Sequence, residues 1–399
     1  MQTRTELSTF TLLLMISFAS VNAVLYTPAL PDIAKYFTIS SNLAQQTMTW
    51  FLIGYTLGQL LYGPLANRFG RKPALYTGII LQIASSLLCV LAGVLHEFTL
   101  LTIGRFLLAL GAGVGLKMAF TLVNEYYEPK IAHQKIAYIM LAFGITPGIA
   151  IALGGLCTTY FGWFSCFYAS AIYGVLLLIL ATRLPETKKV LDKHALQLKH
   201  LTQEYCTQFK NPMIIAGGLL MGICTCFIYV FAALGPFIAI NLFGITSEQY
   251  GIANILPPLG LVGGSIIAAQ LAKKYSPGFI IQIGIIMACL GSLLMLLTLA
   301  LGLPIIFALF LPLIFIYFGV ALILPNASMY AMQYATDKAH GSAVMNFLNM
   351  GLATAVVLNL GFLTISKLLL PLIYFIAVIG LMALHRWLLS QNKAIASKA

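Results

Sequence analysis

Gly63-Pro64-Leu65-Ala66-Asn67-Arg68-Phe69-Gly70-Arg71-Lys72-Pro73-Ala74-Leu75 is the stretch whose reading decides the fold. Long apolar sequence runs up to it and away from it. Arg68, Arg71 and Lys72 sit in its middle with a glycine and a proline, so an apolar helix cannot continue through it. It reads as a short hydrophilic turn between two membrane spans. Excess Lys and Arg between spans marks the cytoplasmic side, and this turn fixes the direction of every other span.

Composition agrees with that reading. The 399 residues are 60% hydrophobic and only 8% charged, with a mean hydropathy of +0.96. Soluble domains carry about 25% charged residues, so the chain crosses the bilayer many times. A net charge of +12 would suggest nucleic acid in a soluble protein. Here the basic residues lie between spans, where orientation and anionic lipid account for them. There is no phosphate-binding loop of the Walker type, which argues against ATP as the energy source.

With about 20 apolar residues to a span, the sequence predicts an all-α protein of twelve spans. They are 8–30, 43–66, 73–95, 98–120, 136–158, 163–183, 213–238, 251–272, 279–301, 304–325, 342–366 and 369–388. Residues 184–212 are the one long polar connection, carrying Lys188, Lys189, Lys193, Lys199 and Lys210. The expected organisation is a six-helix bundle at 1–183, a cytoplasmic linker at 184–212 and a second six-helix bundle at 213–399. With the N-terminus inside, only Lys35 and Lys367 of the 22 Lys and Arg fall outside, and Arg105 lies within a span. Both termini are therefore expected in the cytoplasm. Arg4 and Val21-Asn22-Ala23 make the first span look like a signal peptide. A retained signal anchor is expected, because removal leaves an odd number of spans. The halves echo each other. Leu65-Ala66-Asn67-Arg68-Phe69 follows span 2, Leu271-Ala272-Lys273-Lys274-Tyr275 follows span 8, and Pro28 and Pro236 hold matching places. Two pseudo-symmetric bundles give such a pattern, with a substrate site between them near mid-membrane.

The stretch 63–75 resembles the signature between helices 2 and 3 of the major facilitator superfamily, Gly-x-Leu-Ala-Asp-Arg-x-Gly-Arg-Arg/Lys. That resemblance implies a gating role for Gly63, Asn67, Arg68, Gly70, Arg71 and Lys72, with basic side chains reaching carboxylates across the seam between the halves. The family's Asp is Asn67 here, and Glu125 is the residue expected to supply the missing charge to Arg68 or Arg71. Tyr26-Thr27-Pro28-Ala29-Leu30-Pro31 resembles the end of helix 1 in the drug:proton antiporter branch, close to the bicyclomycin-resistance type. Where that branch often has an Asp, this chain has Val24, with Asn22 nearby. Asp32, just beyond the prolines, reads as a solvated residue at the span end. Span 5 resembles the antiporter signature through Gly148, Gly154 and Gly155, with its proline displaced to Pro147.

Arg105 is the most informative single residue. An ionisable group inside a span is costly unless it meets water or a partner, and it marks function by default. The segment Arg105 to Gly113 resembles the superfamily's helix 4 motif, whose Arg serves proton coupling or recognition of substrate charge. Tyr55, Gln59, Tyr229, Asn254, Asn346 and Asn349 are in-span polar residues expected to line a cavity, alongside Asn22 and Tyr26. Each of them serves equally as interhelical glue. All six histidines fall at span ends or in loops, and no two carboxylates share a depth, so no catalytic or metal constellation is expected. The expected activity is secondary transport in a bacterial inner membrane, by proton-coupled export of amphipathic compounds. The alternative is transport of an anionic metabolite or carboxylate siderophore, motivated by an in-span cation with no in-span carboxylate. A transport-dead sensor is a third reading. The expected partners are a small-molecule substrate, protons and membrane lipid, with a monomeric protein, no cofactor and no nucleic acid.

Overall fold

The structure is a computed structural model and describes residues 7–188, 190–192, 195, 207–333 and 338–396. Arg4, Lys189, Lys193, Lys199 and Lys398 lie outside the described residues. Within them, each of the twelve expected spans is helical. Span 1 is α1 (Thr9–Val24), a 3-10 turn and α2 (Leu30–Tyr36). Spans 2 and 3 are α3 (Ser41–Phe69) and α4 (Arg71–Val94). Span 4 is α5 (Phe98–Ala112) continued by α6 (Val114–Tyr126). Spans 5 and 6 are α7 (Pro129–Phe161) and α8 (Phe164–Ala181). In the second half come α9 (Pro212–Pro236), α10 (Ser247–Ala253), α11 (Pro257–Leu271), α12 (Pro277–Ala300), α13 (Leu311–Met332), α14 (Lys338–Leu360) and α15 (Leu369–Ala396).

Ten helical runs among the described residues are long and apolar enough to cross a bilayer. Span 2 is not among them, and its pairing with span 11 explains why. They pack on each other from opposite halves of the chain. Polar side chains join them: the Asn42 amide donates to the Gly361 and Leu363 carbonyls at 3.1 and 3.0 Å, Gln45 donates to the Val357 carbonyl at 3.2 Å, and the Thr56 and Thr354 hydroxyls meet at 3.3 Å. Residues that would be costly against lipid are sheltered between the two helices. The Asn42 and Gln45 links lie in the half of α3 nearer the Lys- and Arg-poor end, the end expected to be outer, and Thr56 lies at its centre.

Spans 5 and 8 form the second seam. A Cβ on Gly155 would lie 2.4 Å from the Ser247 carbonyl oxygen, and one on Gly148 would lie 2.6 Å from Pro258 and 2.9 Å from the Asn254 carbonyl oxygen. The helix of span 8 breaks between Ala253 and Pro257, where the paired prolines Pro257 and Pro258 begin a new helix. Pro147 lies within the continuous α7.

At the end of the first half expected to be outer, Tyr36, Phe37, His96, Phe98, Trp163 and Phe164 form an aromatic cluster. The Tyr36 hydroxyl donates to the Gly93 carbonyl at 3.2 Å. Aromatic rings of this kind favour the membrane–water boundary, and here they tie three loops together.

Candidate functional site

Span 1 is broken by its own sequence. Pro28 has no N–H to offer the Val24 carbonyl, and the Thr27 hydroxyl takes that place at 2.8 Å. The carbonyls of Asn22 and Ala23 at the end of α1 are answered from another helix. Arg105 Nη1 donates to the Asn22 oxygen at 2.8 Å and Nη2 to the Ala23 oxygen at 3.4 Å. A cation at a helix C-terminus also meets the negative end of the helix dipole. The guanidinium carbon lies 3.8 Å from the centre of the Tyr26 ring and 4.4 Å from that of Phe51. Cation–π contacts of this kind contribute about 2 kcal/mol when desolvated. Arg105 is 1% exposed, and its Nε is buried with no partner among the described residues. Of the two ways to bear a charge within a span, Arg105 takes the partner: it is sealed inside the first bundle, held by carbonyls and rings.

Asn22 and Tyr26 belong to the same sealed region. The Asn22 side-chain oxygen accepts from Gln82 Nε2 at 2.8 Å and from the Ser170 hydroxyl, while its amide donates to the Phe18 carbonyl at 2.7 Å. The Tyr26 and Thr47 hydroxyls meet at 2.9 Å. Gln82, Ser86 and Ser170 complete a buried network joining spans 1, 3 and 6. Both residues are cores of the bundle in this conformer, not cavity lining. Gly154 is pressed against span 1 close by, where a Cβ would lie 1.7 Å from the Leu25 carbonyl oxygen.

The other polar candidates divide. Tyr55 is hydrogen-bonded to the side chain of Gln59 one turn along its own helix and lies within electrostatic reach of Tyr229 from the opposite half. These three come together at the seam. Asn349 accepts a hydrogen bond from the Thr225 hydroxyl at 2.7 Å, tying span 11 to span 7. The Asn254 amide turns back to the Tyr250 carbonyl at 2.7 Å, at the break of span 8. Asn346 is partly exposed on the same helix as Asn349. Asn349 therefore fastens two helices here, and Asn254 bonds within its own.

The 63–75 turn is built on Glu125, as expected, and on Arg71 rather than Arg68. Arg71 Nη2 and Nε donate to the two Glu125 oxygens at 2.5 and 3.1 Å, Nη1 donates to the Asn67 side-chain oxygen at 2.9 Å, and the Thr187 hydroxyl donates to Glu125. Arg68 rests over Phe69. A residue absent from the sequence reading completes the turn. Glu186 accepts from the backbone N–H groups of Arg71 at 3.0 Å and Lys72 at 2.9 Å, the uncapped start of α4. Partial burial pushes its carboxyl up, but three backbone N–H groups and the nearby Arg71 outweigh this and hold it below the usual carboxylate range. Gly70 has φ of 103°, and a Cβ there would lie 2.8 Å from Glu186; both facts require glycine. Lys72 Nζ donates to the Thr182 carbonyl at 2.9 Å. Every named partner of the cluster belongs to the first half or the segment leaving it. The expectation that these cations reach across the seam is corrected.

Lys117 is the second surprise. The sequence reading ends span 4 at residue 120 and puts Lys117 at the inner surface, but the helix runs on to Tyr126. The residue sits about 13 Å inside that end. Its ammonium donates to the Gln59 carbonyl at 3.0 Å and lies over Gly63, whose missing Cβ would be 2.6 Å from Nζ. Gly63 thus makes room for a buried cation as well as for the turn.

The description Major Facilitator Superfamily matches residues 12–358. The chain belongs to the major facilitator superfamily. Members of this superfamily are transporters rather than enzymes. The chain is 26% identical over 329 residues to "Multidrug resistance protein D" of Escherichia coli (strain K12), covering 81% of this chain and 80% of that one. It is 23% identical over 296 residues to a "Bicyclomycin resistance protein homolog" of Haemophilus influenzae, covering 73% and 74%. The resemblance to the drug:proton antiporter branch rests on these relatives. A solved D-xylose-proton symporter superposes with a TM-score of 0.78 at 16% identity, covering 94% of this chain and 96% of that one. At that identity the superposition establishes the fold of two six-helix bundles and nothing about substrate.

Proposed function

We propose that this superfamily member exports small amphipathic compounds across a bacterial inner membrane, driven by the proton gradient. Two halves, 1–183 and 213–399, rock about the seam while residues 184–212 connect them in the cytoplasm. The seam is the observation that carries this reading. Spans 2 and 11 meet through single polar pairs, and spans 5 and 8 meet glycine to backbone. Such an interface parts without opening a hydrophobic core. Its named hydrogen bonds run from the end expected to be outer to the centre of α3, which suits a state that accepts compounds from the cytoplasm. The drug-resistance names of the relatives support the substrate class.

Arg105 enters this scheme as the fastener of broken span 1, and coupling acts through that break. The test is ethidium transport in inside-out vesicles with and without an imposed pH gradient. Accumulation that collapses with the gradient is expected, and transport indifferent to the gradient overturns proton coupling. A second reading, transport of an anionic metabolite or carboxylate chelator in either direction, is favoured by a separate observation: Arg105 and Lys117 both lie within span 4, and Arg71–Glu125 at the inner end is the one ion pair among the described residues.

A further inference from the structure

We propose that the start of span 9, together with Lys273, Lys274 and His385, binds the phosphate of an anionic phospholipid. The site lies at the end of the second half expected to face the cytoplasm, and it does not depend on what the protein transports.

The two halves complete one turn differently. Leu65-Ala66-Asn67-Arg68-Phe69 leads into α4, and Leu271-Ala272-Lys273-Lys274-Tyr275 leads into α12 in the same register. In that register Gly70 matches Ser276, Arg71 matches Pro277 and Lys72 matches Gly278. In the first half an acid closes the start of the helix: Glu186, just past span 6, accepts from the N–H groups of Arg71 and Lys72. The second half has no acid at the matching place. Ser276 makes no side-chain cap, and Pro277 has no N–H. The N–H groups of Phe279 and Ile280 turn back to the Ser276 carbonyl at 3.1 and 3.2 Å, which leaves that of Gly278. Residues 389–399, past span 12, contain no Asp or Glu. Glu248 and Asp337 are the acids between 213 and 399. Glu248 meets Tyr160 at the opposite end of the molecule, and Asp337, in the connection after span 10, lies outside the described residues.

Three side chains around this helix start suit an anion. Lys273 and Lys274 are exposed just before it and form no ion pair among the described residues. His385, in span 12, is 6% exposed, and its Nδ1 is buried with no hydrogen-bond partner among the described residues. Its ring packs beside Gly278, with Cε1 3.9 Å from where a Cβ there would lie. A helix N-terminus, two ammonium groups and an imidazole with a spare nitrogen match a phosphate, whose oxygens accept from all of them. The surroundings make it the phosphate of a lipid. Phe279 and Ile286 on α12 and Met382 on α15 are exposed apolar side chains, a surface for acyl chains. The Tyr275 and Phe279 rings lie 4.9 Å apart, an aromatic pair suited to the level of the headgroups. Basic pockets between spans at the cytoplasmic face take anionic headgroups in this way.

The experiment offers phosphatidylglycerol and phosphatidylcholine with identical acyl chains to the purified full-length protein in detergent, and reads retained lipid by native mass spectrometry. Wild-type protein is expected to retain phosphatidylglycerol in preference to phosphatidylcholine. Lys273→Gln with Lys274→Gln is expected to weaken that retention by about ten- to hundred-fold, the usual worth of hydrogen bonds to a charged group. His385→Phe is expected to weaken it less. Arg183→Gln, which removes an exposed cation past span 6, is expected to leave it unchanged. Equal retention of the two lipids by wild-type protein overturns the site without needing any variant to fold. An equal loss in Arg183→Gln and in the double lysine variant reduces the effect to surface charge and also overturns it. Displacement of phosphatidylglycerol by orthophosphate at equal concentration makes the site one for free phosphate and overturns the lipid assignment.

Discussion

Replacing Arg105 with Met tests the claim that this residue fastens the broken end of span 1. The substitution keeps length and apolar bulk and removes the guanidinium. Two carbonyls, those of Asn22 and Ala23, then lose their partner in a dry site. An unsatisfied buried carbonyl costs about 1–3 kcal/mol. The contacts over Tyr26 and Phe51 contribute about 2 kcal/mol more. Against this, the variant no longer buries a charge, which returns several kcal/mol. The net expectation is a loss of about 1–4 kcal/mol. Arg105→Lys keeps the charge, but its single ammonium does not span both carbonyls or stack flat between two rings, so it should fall between wild type and Met. The assay is thermal unfolding in detergent, followed by the loss of monodisperse protein, with ethidium transport measured on the same samples. A Met variant that melts with wild type while losing transport would refute the fastener role and make Arg105 a direct coupling group. Equal behaviour of Lys and Met would show that the fork geometry is irrelevant.

Other outcomes follow from the same geometry. Glu186 has a carboxyl held below its ordinary range in the folded protein, so its contribution is present above the ordinary carboxylate range and is lost as pH falls through the lowered folded value. Melting temperature should therefore drop on acidification below that range, and Glu186→Gln should flatten the acid limb of the profile. Gly154→Val drives a side chain into the Leu25 carbonyl and should cost about 1–3 kcal/mol or more, seen as poor expression and a lower melting temperature; Gly162→Ala is the control, because nothing lies within 4 Å there and its cost comes from φ of 75° alone. Asn42→Ala removes two hydrogen bonds at the outer seam, together about 1–3 kcal/mol, and should lengthen the distance between spin labels on Thr38 and Thr364. Asn67→Asp adds a carboxylate beside Arg71 at a site already served by Glu125, so a stability change within about 1 kcal/mol is expected by thermal melting.

The fold was legible because its cause is written in runs of residues. Apolar length sets the spans. The 63–75 turn was legible for the same reason, down to Glu125 as its carboxylate. What escaped was chemistry supplied by backbone. Arg105 is satisfied by carbonyls that any sequence possesses, so no residue type announces its partner. Glu186 serves N–H groups at the start of α4. The hint was Gly70, which has no side chain to cap that helix, and a carboxylate just past span 6. Lys117 was misplaced because the polar residues at 124 and 125 suggested an early end to span 4. The helix continues because Glu125 finds Arg71 and Thr187 there.

Spans 2 and 11 shelter each other's polar side chains, and Thr56 and Thr354 are separated by 298 residues of chain. At about 5–20 residues per second of synthesis, roughly 15–60 seconds pass between the emergence of one and of the other. Through that interval the earlier helix sits in the bilayer with its Asn, Gln and Thr face uncovered. Biogenesis of this protein thus includes a waiting period in which something else, a lipid headgroup, an insertase groove or the earlier helices, must stand in for the missing partner.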